Sequence, residues 1–577
     1  MALIDLASIG SIMPFMAVIT NPEVIMSNKW LYWCYVNLRF ESTNAFLLSL
    51  GVVVLVALVI SNISAALITW LIFKFSWMRN HSLARRLFVK YLHEPYVFFL
   101  NRNSAELEKN ILDEVQLVIV GIINPVLMIV KNSVVVVFIF SLLVFIEPTL
   151  ALIVSLTLGS AYCALFFFTG KVLSRIGWER AEANKKRFRT ANEALSGVKI
   201  LKVLGREKFF IDSFSEHSFL VSNNFAKKAA IAQLPKHAFE VVAFGGVLLI
   251  IIYFLATQKD MGQIIPLLSL YAFAGYRLMP AMQTIFTKAA NIKYSIPSLD
   301  IIYADLNKNN HHLSRQINKE RSVMEPVKVE LGHEGIQIKD IRFSYPDQKL
   351  PVLDSFHLSI PPNKTIGLAG STGSGKTTII DILLGLLEPE RGVFQIGNVS
   401  VETSNMRSWQ QRVGYVPQDI FLLDDTVRRN IAFGIEEKEI DDDAVIKAAE
   451  IANLHEFVSN ELPNSYDTDV GERGIRLSGG QKQRIGIARA LYHDPEVLIL
   501  DEATSALDGV TEDAIMQAIY NLTHKKTIIM IAHRLTTLQE CDEIFVLDRG
   551  KVVASGNYHE LKNSSAYFQE IEKLNKK

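Results

Sequence analysis

The sequence predicts a multidomain protein in which an all-α membrane domain precedes a soluble α/β domain. Hydrophobic residues make up 50% of the 577 residues, a high share for a soluble protein. Long apolar runs fill the chain up to about residue 290, and from about residue 333 the pattern is that of an ordinary α/β domain. The predicted boundaries are 1–306 for the membrane domain, 307–332 for a polar linker and 333–577 for the soluble domain.

Charge and cysteine content argue against several classes of protein. Lys and Arg together number 59, as do Asp and Glu, so no basic surplus favours nucleic acid as a partner. The three cysteines form no CxxC pair, and neither a metal cluster nor a disulfide framework is expected. No basic segment precedes the first apolar stretch, so we expect no cleavable signal peptide.

Six apolar runs predict six membrane spans, because about 20 apolar residues cross a bilayer core of roughly 30 Å. Five of the runs are clear, and the first is marginal in length. The alternative, a set of buried helices in a soluble protein, is disfavoured because long runs recur so often. The predicted spans are 2–19, 46–73, 118–146, 149–168, 238–256 and 264–286.

Basic residues follow the second and fourth spans, which places these two loops and both termini in the cytoplasm. The protein is therefore expected to be a multi-pass protein of the cytoplasmic (inner) membrane. Both cytoplasmic loops have helical patterns that would extend the spans beyond the bilayer. Within these loops, Glu94–Leu107 and Ala194–Arg206 are candidates for contacting the soluble domain, and a solvated loop is the alternative.

Several residues in the spans are unusual for a membrane interior. Pro125 and Pro280 each remove a backbone hydrogen bond, which predicts kinks. Lys131, Glu240 and Arg277 are costly in lipid unless they are paired or face a polar cavity. Two interpretations stay open for these charges: pairing between helices, or a basic cavity for an anionic substrate.

The first outer loop is rich in aromatic residues. The stretch Lys29–Phe40 reads KWLYWCYVNLRF, and aromatic side chains favour the membrane interface. The pattern predicts a short helix lying flat in the interface. A plain aromatic belt that ends the first span is the alternative.

The soluble half contains a phosphate-binding loop. The stretch from Gly370 to Thr377, GSTGSGKT, fits the pattern GxxxxGK[ST] and lies between a strand-like and a helix-like run. Its backbone N–H groups and the helix N-terminus would hold phosphates, Lys376 would neutralise the β- and γ-phosphates, and Thr377 would bind Mg²⁺. The residues predicted to bind ATP here are Gly370, Ser371, Thr372, Gly373, Ser374, Gly375, Lys376, Thr377 and Thr378.

Two carboxylates end a predicted buried strand further along the chain, in the stretch Val497-Leu-Ile-Leu-Asp501-Glu502. Asp501 is placed to hold Mg²⁺, and Glu502 to polarise the attacking water as a general base. An exposed acidic pair without function would leave the phosphate loop in the same domain unexplained.

The stretch Leu477-Ser-Gly-Gly-Gln481 resembles the signature of the ATP-binding cassette (ABC) family, and the other motifs of that family follow in order. The resemblance implies that Ser478, Gly479, Gly480 and Gln481 bind ATP, that Tyr345 stacks on adenine, and that Gln418 senses Mg²⁺. It also implies a switch histidine at His533, a dimer-contacting loop at Ser505–Asp508 with Asp508 at the nucleotide, and an exporter-type loop at Thr468–Gly474. The implied catalytic residues are Glu502, His533, Lys376 and Gln418, and the implied metal ligands are Thr377, Gln418 and Asp501.

In this family, the phosphate loop of one domain and the signature of another enclose each ATP. One chain has one copy of each, so the resemblance implies a dimer. A homodimer with two sites is the simplest prediction, and a heterodimer with a related chain is the alternative. ATP binding would close the two domains and hydrolysis would release them, so that the membrane cavity alternates between faces.

The order of domains resembles the exporter branch of the family, and within it PglK-type flippases of lipid-linked oligosaccharides. The stretches that carry this resemblance are Ile12–Phe15, Lys29–Phe40, Tyr276–Pro280 and Ser298–Tyr303. It implies membrane lipid and a lipid-linked glycan as partners, with Arg277 and Lys131 along the path of a pyrophosphate. Flippases of this type begin with a longer first span, so we expect either a truncated N-terminus or a shortened first helix.

Three other functions are alternatives to flipping. An exporter of drugs, lipids or peptides is the main alternative, although no peptidase-like domain precedes the spans. A soluble ABC protein acting on DNA or ribosomes would lack the apolar spans. A channel gated by ATP binding would not require the complete set of catalytic residues.

Overall fold

A computed structural model describes residues 2–146, 148–256, 261–307, 331–346, 348, 350–503, 509–532 and 534–575. The chain divides into two compact units, a helical one and one that contains two β-sheets. The predicted linker lies almost entirely outside the described residues, so the predicted domain boundaries remain predictions.

The first unit is built from long helices, as the apolar runs predict. Apolar runs favour helices in this setting because a helix satisfies every backbone hydrogen bond within its own segment. Its described α-helices are Ala2–Thr20, Val24–Ser27, Lys29–Asn37, Thr43–Leu92, Tyr96–Leu100, Ser104–Lys109, Val115–Val118, Asn124–Ile146, Pro148–Ser196, Val198–Leu204, Glu207–Ala256 and Met261–Asn307. The long helices continue well past the predicted spans, as expected for the cytoplasmic extensions.

Two described stretches, Thr43–Leu92 and Ser104–Ile146, are helical, long and apolar enough to cross a membrane by length and composition. Only 11% and 17% of their most apolar segments are buried within the protein. A core helix of a soluble protein would be mostly covered, whereas these apolar faces are left for another environment. Lipid is the environment that such faces fit.

The aromatic outer segment folds as predicted into a short helix, Lys29–Asn37. Asn28 caps this helix, because its side-chain oxygen accepts from the backbone N–H groups of Trp30 and Leu31. Trp30 and Trp33 are 80% and 61% exposed, while Leu31 is buried against the unit. One face of the helix therefore anchors it and the other presents indole rings outward.

Two π-helical turns, Asn110–Glu114 and Ile119–Ile123, interrupt the run Ser104–Ile146. Pro125 lies two residues after the end of the second of them. A π-turn loosens the local winding, which suits a proline that cannot donate a backbone hydrogen bond. Pro280, in contrast, lies inside a helix that is continuous from Met261 to Asn307.

The charged residues of the predicted spans contact polar groups. Lys131 donates to the Thr69 hydroxyl at 2.7 Å. Arg277 donates to the Ser61 hydroxyl at 3.3 Å, and Glu240 lies 3.5 Å from His237. The first two contacts tie their helices to Thr43–Leu92, as expected for pairing between helices.

A buried ion cluster joins three helices of this unit. Glu114, fully buried, receives hydrogen bonds from both terminal nitrogens of Arg180 at 3.3 and 3.2 Å and lies 3.2 Å from the Lys109 amine. Arg180 also donates to the Ser298 hydroxyl at 2.8 Å. Burial alone would raise the pKa of the Glu114 carboxyl, but the charges of Arg180 and Lys109 lower it overall.

Glycines permit the close helix packing around this cluster. A Cβ on Gly121 would lie 2.0 Å from the Ser295 hydroxyl, and one on Gly177 would lie 2.4 Å from the Tyr294 carbonyl oxygen. Neither distance is possible for a real side chain. The helix that carries Tyr294 and Ser295 therefore packs closely against the backbone of two neighbouring helical segments, at Gly121 and at Gly177.

The second unit contains a six-stranded and a four-stranded sheet. The strands are β1 Ile336–Phe343, β2 Leu353–Ile360, β3 Thr365–Gly370, β4 Arg391–Ile396, β5 Val399–Ser400, β6 Val413–Val416, β7 Val497–Asp501, β8 Thr527–Ile531, β9 Glu543–Asp548 and β10 Lys551–Gly556. The larger sheet has the order β10-β9-β3-β8-β7-β6, parallel except for β10, and the smaller has the antiparallel order β2-β1-β4-β5. Strands β3 and β7, which carry the predicted nucleotide motifs, flank β8, so their carboxyl ends share one edge of the sheet.

Helices cover the larger sheet and enclose two apolar cores. The described α-helices of this unit are Lys376–Leu383, Met406–Gln410, Val427–Ile431, Asp442–Ile451, His455–Glu461, Gly479–Leu491, Gly509–Tyr520, Tyr558–Ser564 and Ala566–Asn575. Strands β7 and β8 are buried along their whole length and read as continuous apolar runs, as parallel strands covered on both faces do.

Trp409 anchors the helix Met406–Gln410 to the core. It is fully buried, and its indole N–H donates to the Leu383 carbonyl oxygen at 2.6 Å. Replacing Trp409 with phenylalanine is expected to lower the free energy of unfolding by about 2 kcal/mol, because it leaves that carbonyl unpaired and opens a small cavity. Thermal unfolding of the purified protein measures the change. Trp178→Phe, at a half-exposed site, is the control, and equal midpoints for the two variants would contradict the prediction.

Candidate nucleotide-binding site

The predicted phosphate loop has the strand–loop–helix setting that the motif requires. Strand β3 ends at Gly370 and a helix begins at Lys376. Between them, Gly373 and Gly375 adopt φ of 81° and 103°, values that side chains other than glycine rarely allow. The loop therefore turns tightly and ends at the positive end of a helix, where an anion is favoured.

Lys376 folds back over this loop. Its amine donates to the carbonyl oxygens of Gly370 and Ser371 at 2.8 and 3.0 Å, and only 8% of the residue is exposed. Burial lowers the pKa of the lysine, while the charges of Glu502 and Asp501 oppose that shift. The predicted phosphate-neutralising amine thus contacts the loop and is influenced by the charges of the two predicted carboxylates.

The loop also holds a polar atom suited to an anion. The Ser374 hydroxyl is buried and, within the described part of the chain, has no hydrogen-bond partner. The Tyr567 hydroxyl donates to the Asp548 carboxylate at 3.1 Å and lies 3.2 Å from the Ser371 hydroxyl, which can donate to it. An unpartnered buried hydroxyl in a glycine-rich loop fits the phosphate groups of a nucleotide.

Asp501 and Glu502 lie at the carboxyl end of β7 as predicted. Asp501 is 6% exposed, and Glu502 adopts a left-handed backbone with φ of 51°. The left-handed residue ends the strand abruptly, and such backbone outliers concentrate at functional sites. Gln418 donates to the Glu502 carboxylate at 2.7 Å, so the structure brings together the predicted general base and the predicted sensor.

Three residues around the carboxylates escaped the sequence-based prediction. Gln483, 2% exposed, donates to the Glu502 carbonyl oxygen at 3.2 Å. Burial, together with the charge of Asp501, raises the pKa of Asp381 to about 6 and raises that of Tyr415 as well. Gln483 lies two residues after the signature and Asp381 five after Lys376, and neither spacing alone indicates a role.

Tyr345 lies beside the helix that follows the loop. Its hydroxyl is 3.2 Å from that of Thr378, and its ring packs edge-on against Phe343 at a centroid distance of 5.1 Å. The side chain is partly exposed. Stacking of this ring on adenine remains a prediction.

The predicted signature forms the start of the helix Gly479–Leu491. Ser478 caps it: the serine hydroxyl accepts from the Gln481 backbone N–H at 3.3 Å, and the Gln481 side chain accepts from the Ser478 N–H at 2.8 Å. In the described residues of this one chain, no hydrogen bond joins this turn to the phosphate loop. Ser505–Asp508 and His533 lie outside the described residues.

The residues at the loop fit Mg²⁺ as part of a nucleotide complex. No group of three or more His, Cys, Asp or Glu side chains that could hold a metal occurs in the described ranges. Mg²⁺ does not need one, because it is usually held by one or two protein ligands, substrate phosphates and water. Asp501, Thr377 and Gln418 are the side chains that would supply those ligands here.

Comparison with known proteins agrees with this site. The model of the ABC transporter family matches residues 353–505, and that of the ABC transporter transmembrane region matches residues 7–277. The chain is 30% identical over 481 residues, 83% of its length and 78% of the relative's, to an ATP-dependent lipid A-core flippase of Methylococcus capsulatus. A protein of the same description from Saccharophagus degradans is 29% identical over 85% of this chain and 80% of its own.

The fold is similar to that of a bacterial Atm1-family ABC exporter solved with ATP bound, with a TM-score of 0.76 and 21% identity. The similarity covers 98% of this chain and 97% of the other. Fold and site together define a membrane transporter driven by an ATP-hydrolysing domain. The chain belongs to the ABC transporter family and is a half-transporter of the exporter type, with an ATPase coupled to transport. The predicted family and fold class are therefore confirmed.

Proposed function

We propose that this protein is a homodimeric lipid flippase of the cytoplasmic membrane that moves a lipid-linked oligosaccharide, or a related phosphate-bearing lipid, across the bilayer. The observation that carries the proposal is the extent of the similarity to lipid A-core flippases. It spans about 85% of the chain, so it includes the helical unit as well as the nucleotide-binding domain.

The choice of a lipid-linked oligosaccharide rests on the resemblance to PglK-type flippases. The outer helix Lys29–Asn37 supports it, because exposed Trp30 and Trp33 suit the boundary between lipid and water. A pyrophosphate between lipid and glycan would carry negative charge, and in this proposal Lys131 and Arg277 attract that charge during transport.

Each residue of the nucleotide site has a proposed role. Bound ATP with Mg²⁺ supplies the free energy of each cycle. The loop amides and Lys376 hold the phosphates, Asp501 and Thr377 orient the metal, and Gln418 orients the Glu502 carboxylate toward water. Ser478–Gln481 of a second chain would close the site from the other side, which is why a dimer is required.

The proposal is tested with purified protein in vesicles that contain a fluorescent undecaprenyl-pyrophosphate glycan. ATP is expected to expose the glycan on the opposite leaflet and the lipid to stimulate ATPase activity. Vesicles with lipid A-core replacing the glycan separate the two kinds of lipid, and a Glu502→Gln protein controls for passive movement. Stimulation by diverse amphipathic drugs, with no flipping of either lipid, would favour a multidrug exporter and overturn the proposal.

A further inference from the structure

The turn between β9 and β10 contacts the phosphate loop. Strand β9 pairs with β3, and a Cβ on Gly370, where β3 ends, would lie 2.5 Å from the Leu547 carbonyl oxygen. Arg549 and Gly550 form a two-residue turn with φ of 43° and 74°. The Gly550 N–H donates to the Ser374 carbonyl oxygen at 3.0 Å. The turn therefore supports the loop by backbone contacts, both at the start of the loop and further along it.

Two helices follow this turn, Tyr558–Ser564 and Ala566–Asn575. Tyr558 of the first and Phe568 of the second are buried in the core of the unit, and their rings meet edge-on at a centroid distance of 5.6 Å. The ring of Tyr567, next to Phe568 in the chain, packs partly buried against the same core. The Tyr567 hydroxyl is therefore carried by a helix that is fixed to the core on both sides of its ring.

The Tyr567 hydroxyl joins the phosphate loop to the end of β9. It lies 3.1 Å from the Asp548 carboxylate and 3.2 Å from the Ser371 hydroxyl. Because an ionised carboxylate only accepts hydrogen bonds, the tyrosine is the donor in the first contact and the serine is the donor in the second. The contacts form a chain with one direction, from Ser371 through Tyr567 to Asp548.

Ser371 in turn holds two other parts of the loop. Its carbonyl oxygen accepts from the Lys376 amine at 3.0 Å and from the Ser374 N–H at 3.1 Å. A hydrogen bond that restrains the Ser371 side chain therefore also restrains the carbonyl group that orients the phosphate-neutralising lysine. Tyr567 lies 196 residues after Ser371, and no motif of the sequence connects the two residues.

We propose that Tyr567 is a positioning residue for ATP, which holds the phosphate loop, through Ser371, in the shape that receives the nucleotide. A loop that already has this shape needs no rearrangement when ATP arrives, and binding is stronger for that reason. The chemical step depends on Glu502 and Gln418, which Tyr567 does not contact in the described structure. Loss of the tyrosine hydroxyl should therefore weaken ATP binding and leave the rate of hydrolysis at saturating ATP unchanged.

The test is a titration of the purified full-length protein with MgATP in phospholipid nanodiscs. Tyr567→Phe keeps the ring and removes the hydroxyl, and it is expected to raise KM for ATP about three- to tenfold, the effect of one lost hydrogen bond, with kcat unchanged. Binding of a fluorescent nucleotide in a Glu502→Gln background should show the same shift in Kd. The matched control is Tyr558→Phe, which removes a hydroxyl of the same helical pair that donates to Glu572 at 3.3 Å, and it should bind ATP like the wild type.

A double-mutant cycle tests whether the effect passes through Ser371. If it does, Ser371→Ala with Tyr567→Phe should bind ATP as Ser371→Ala alone does, because the contact is already lost. Shifts that multiply in the double variant would overturn the proposed route. An unshifted KM in Tyr567→Phe, or a lower kcat without a change in KM, would overturn the positioning role. Equal shifts in Tyr567→Phe and Tyr558→Phe would do the same, since they would report a general loosening of the two helices.

Discussion

Glu502→Gln is expected to abolish ATP turnover, lowering the rate by about 10²- to 10⁴-fold, the usual contribution of a general base. ATP binding should persist. The carboxylate lies at the end of a buried strand and accepts from Gln418 at 2.7 Å, and an amide keeps its shape without its basicity. Phosphate release measures turnover, and a fluorescent nucleotide measures binding.

A matched control tests whether the loss is specific. Glu461→Gln changes an exposed carboxylate at the end of a helix in the same unit, and its turnover should equal that of the wild type. Near-normal turnover in the Glu502 variant would show that another group accepts the proton. Loss of nucleotide binding in that variant would show that the substitution disturbs the loop rather than the chemistry.

Glu114→Gln is expected to lower the free energy of unfolding by about 4 kcal/mol, because it leaves two buried cations, Lys109 and Arg180, without a counter-charge. Thermal unfolding in detergent measures the change. Glu179→Gln is the control, since the Glu179–Arg175 pair is exposed and should contribute at most about 1 kcal/mol. Equal midpoints for the two variants would contradict the prediction.

The same cluster makes the stability of the protein depend on pH, and the sign of that dependence follows from the pKa of Glu114. The folded-state pKa of Glu114 is lowered from its ordinary 4.5, so its contribution to stability is complete above that value. Stability is lost as the pH falls through the lowered folded-state pKa, because the folded protein must then take up a proton it disfavours. The wild type should lose more stability than the Glu114→Gln protein over this acid range.

The nucleotide site was largely predictable because its chemistry lies in short motifs. A phosphate loop needs glycines and a lysine at fixed spacing, and Gly370–Thr377 has them between a strand and a helix. No motif of fixed spacing indicates that Gln483 or Asp381 belongs to the site. Only the folded arrangement of the chain brings these two residues to it. Their roles depend on how the helices Gly479–Leu491 and Lys376–Leu383 lie against β7.

In the helical unit, apolar periodicity predicts that helices exist but says little about their internal geometry. Pro125 predicts a disturbance, yet the π-helical turns precede it, and the second of them contains Gly121, which packs closely against Ser295. The Glu114 cluster could not be predicted from the sequence either, because it also depends on packing between helices. Its three charges come from positions 109, 114 and 180, and only the packed helices bring them together.

The capped Ser478 has a consequence for how two chains would meet. A hydroxyl group has one hydrogen and two lone pairs, and the contact with the Gln481 N–H uses a lone pair only. The hydrogen is left for an oxygen atom arriving from outside. Since two hydrogen bonds already hold this turn in a single chain, less ordering entropy is lost there on encounter, and more of the attraction is retained as affinity.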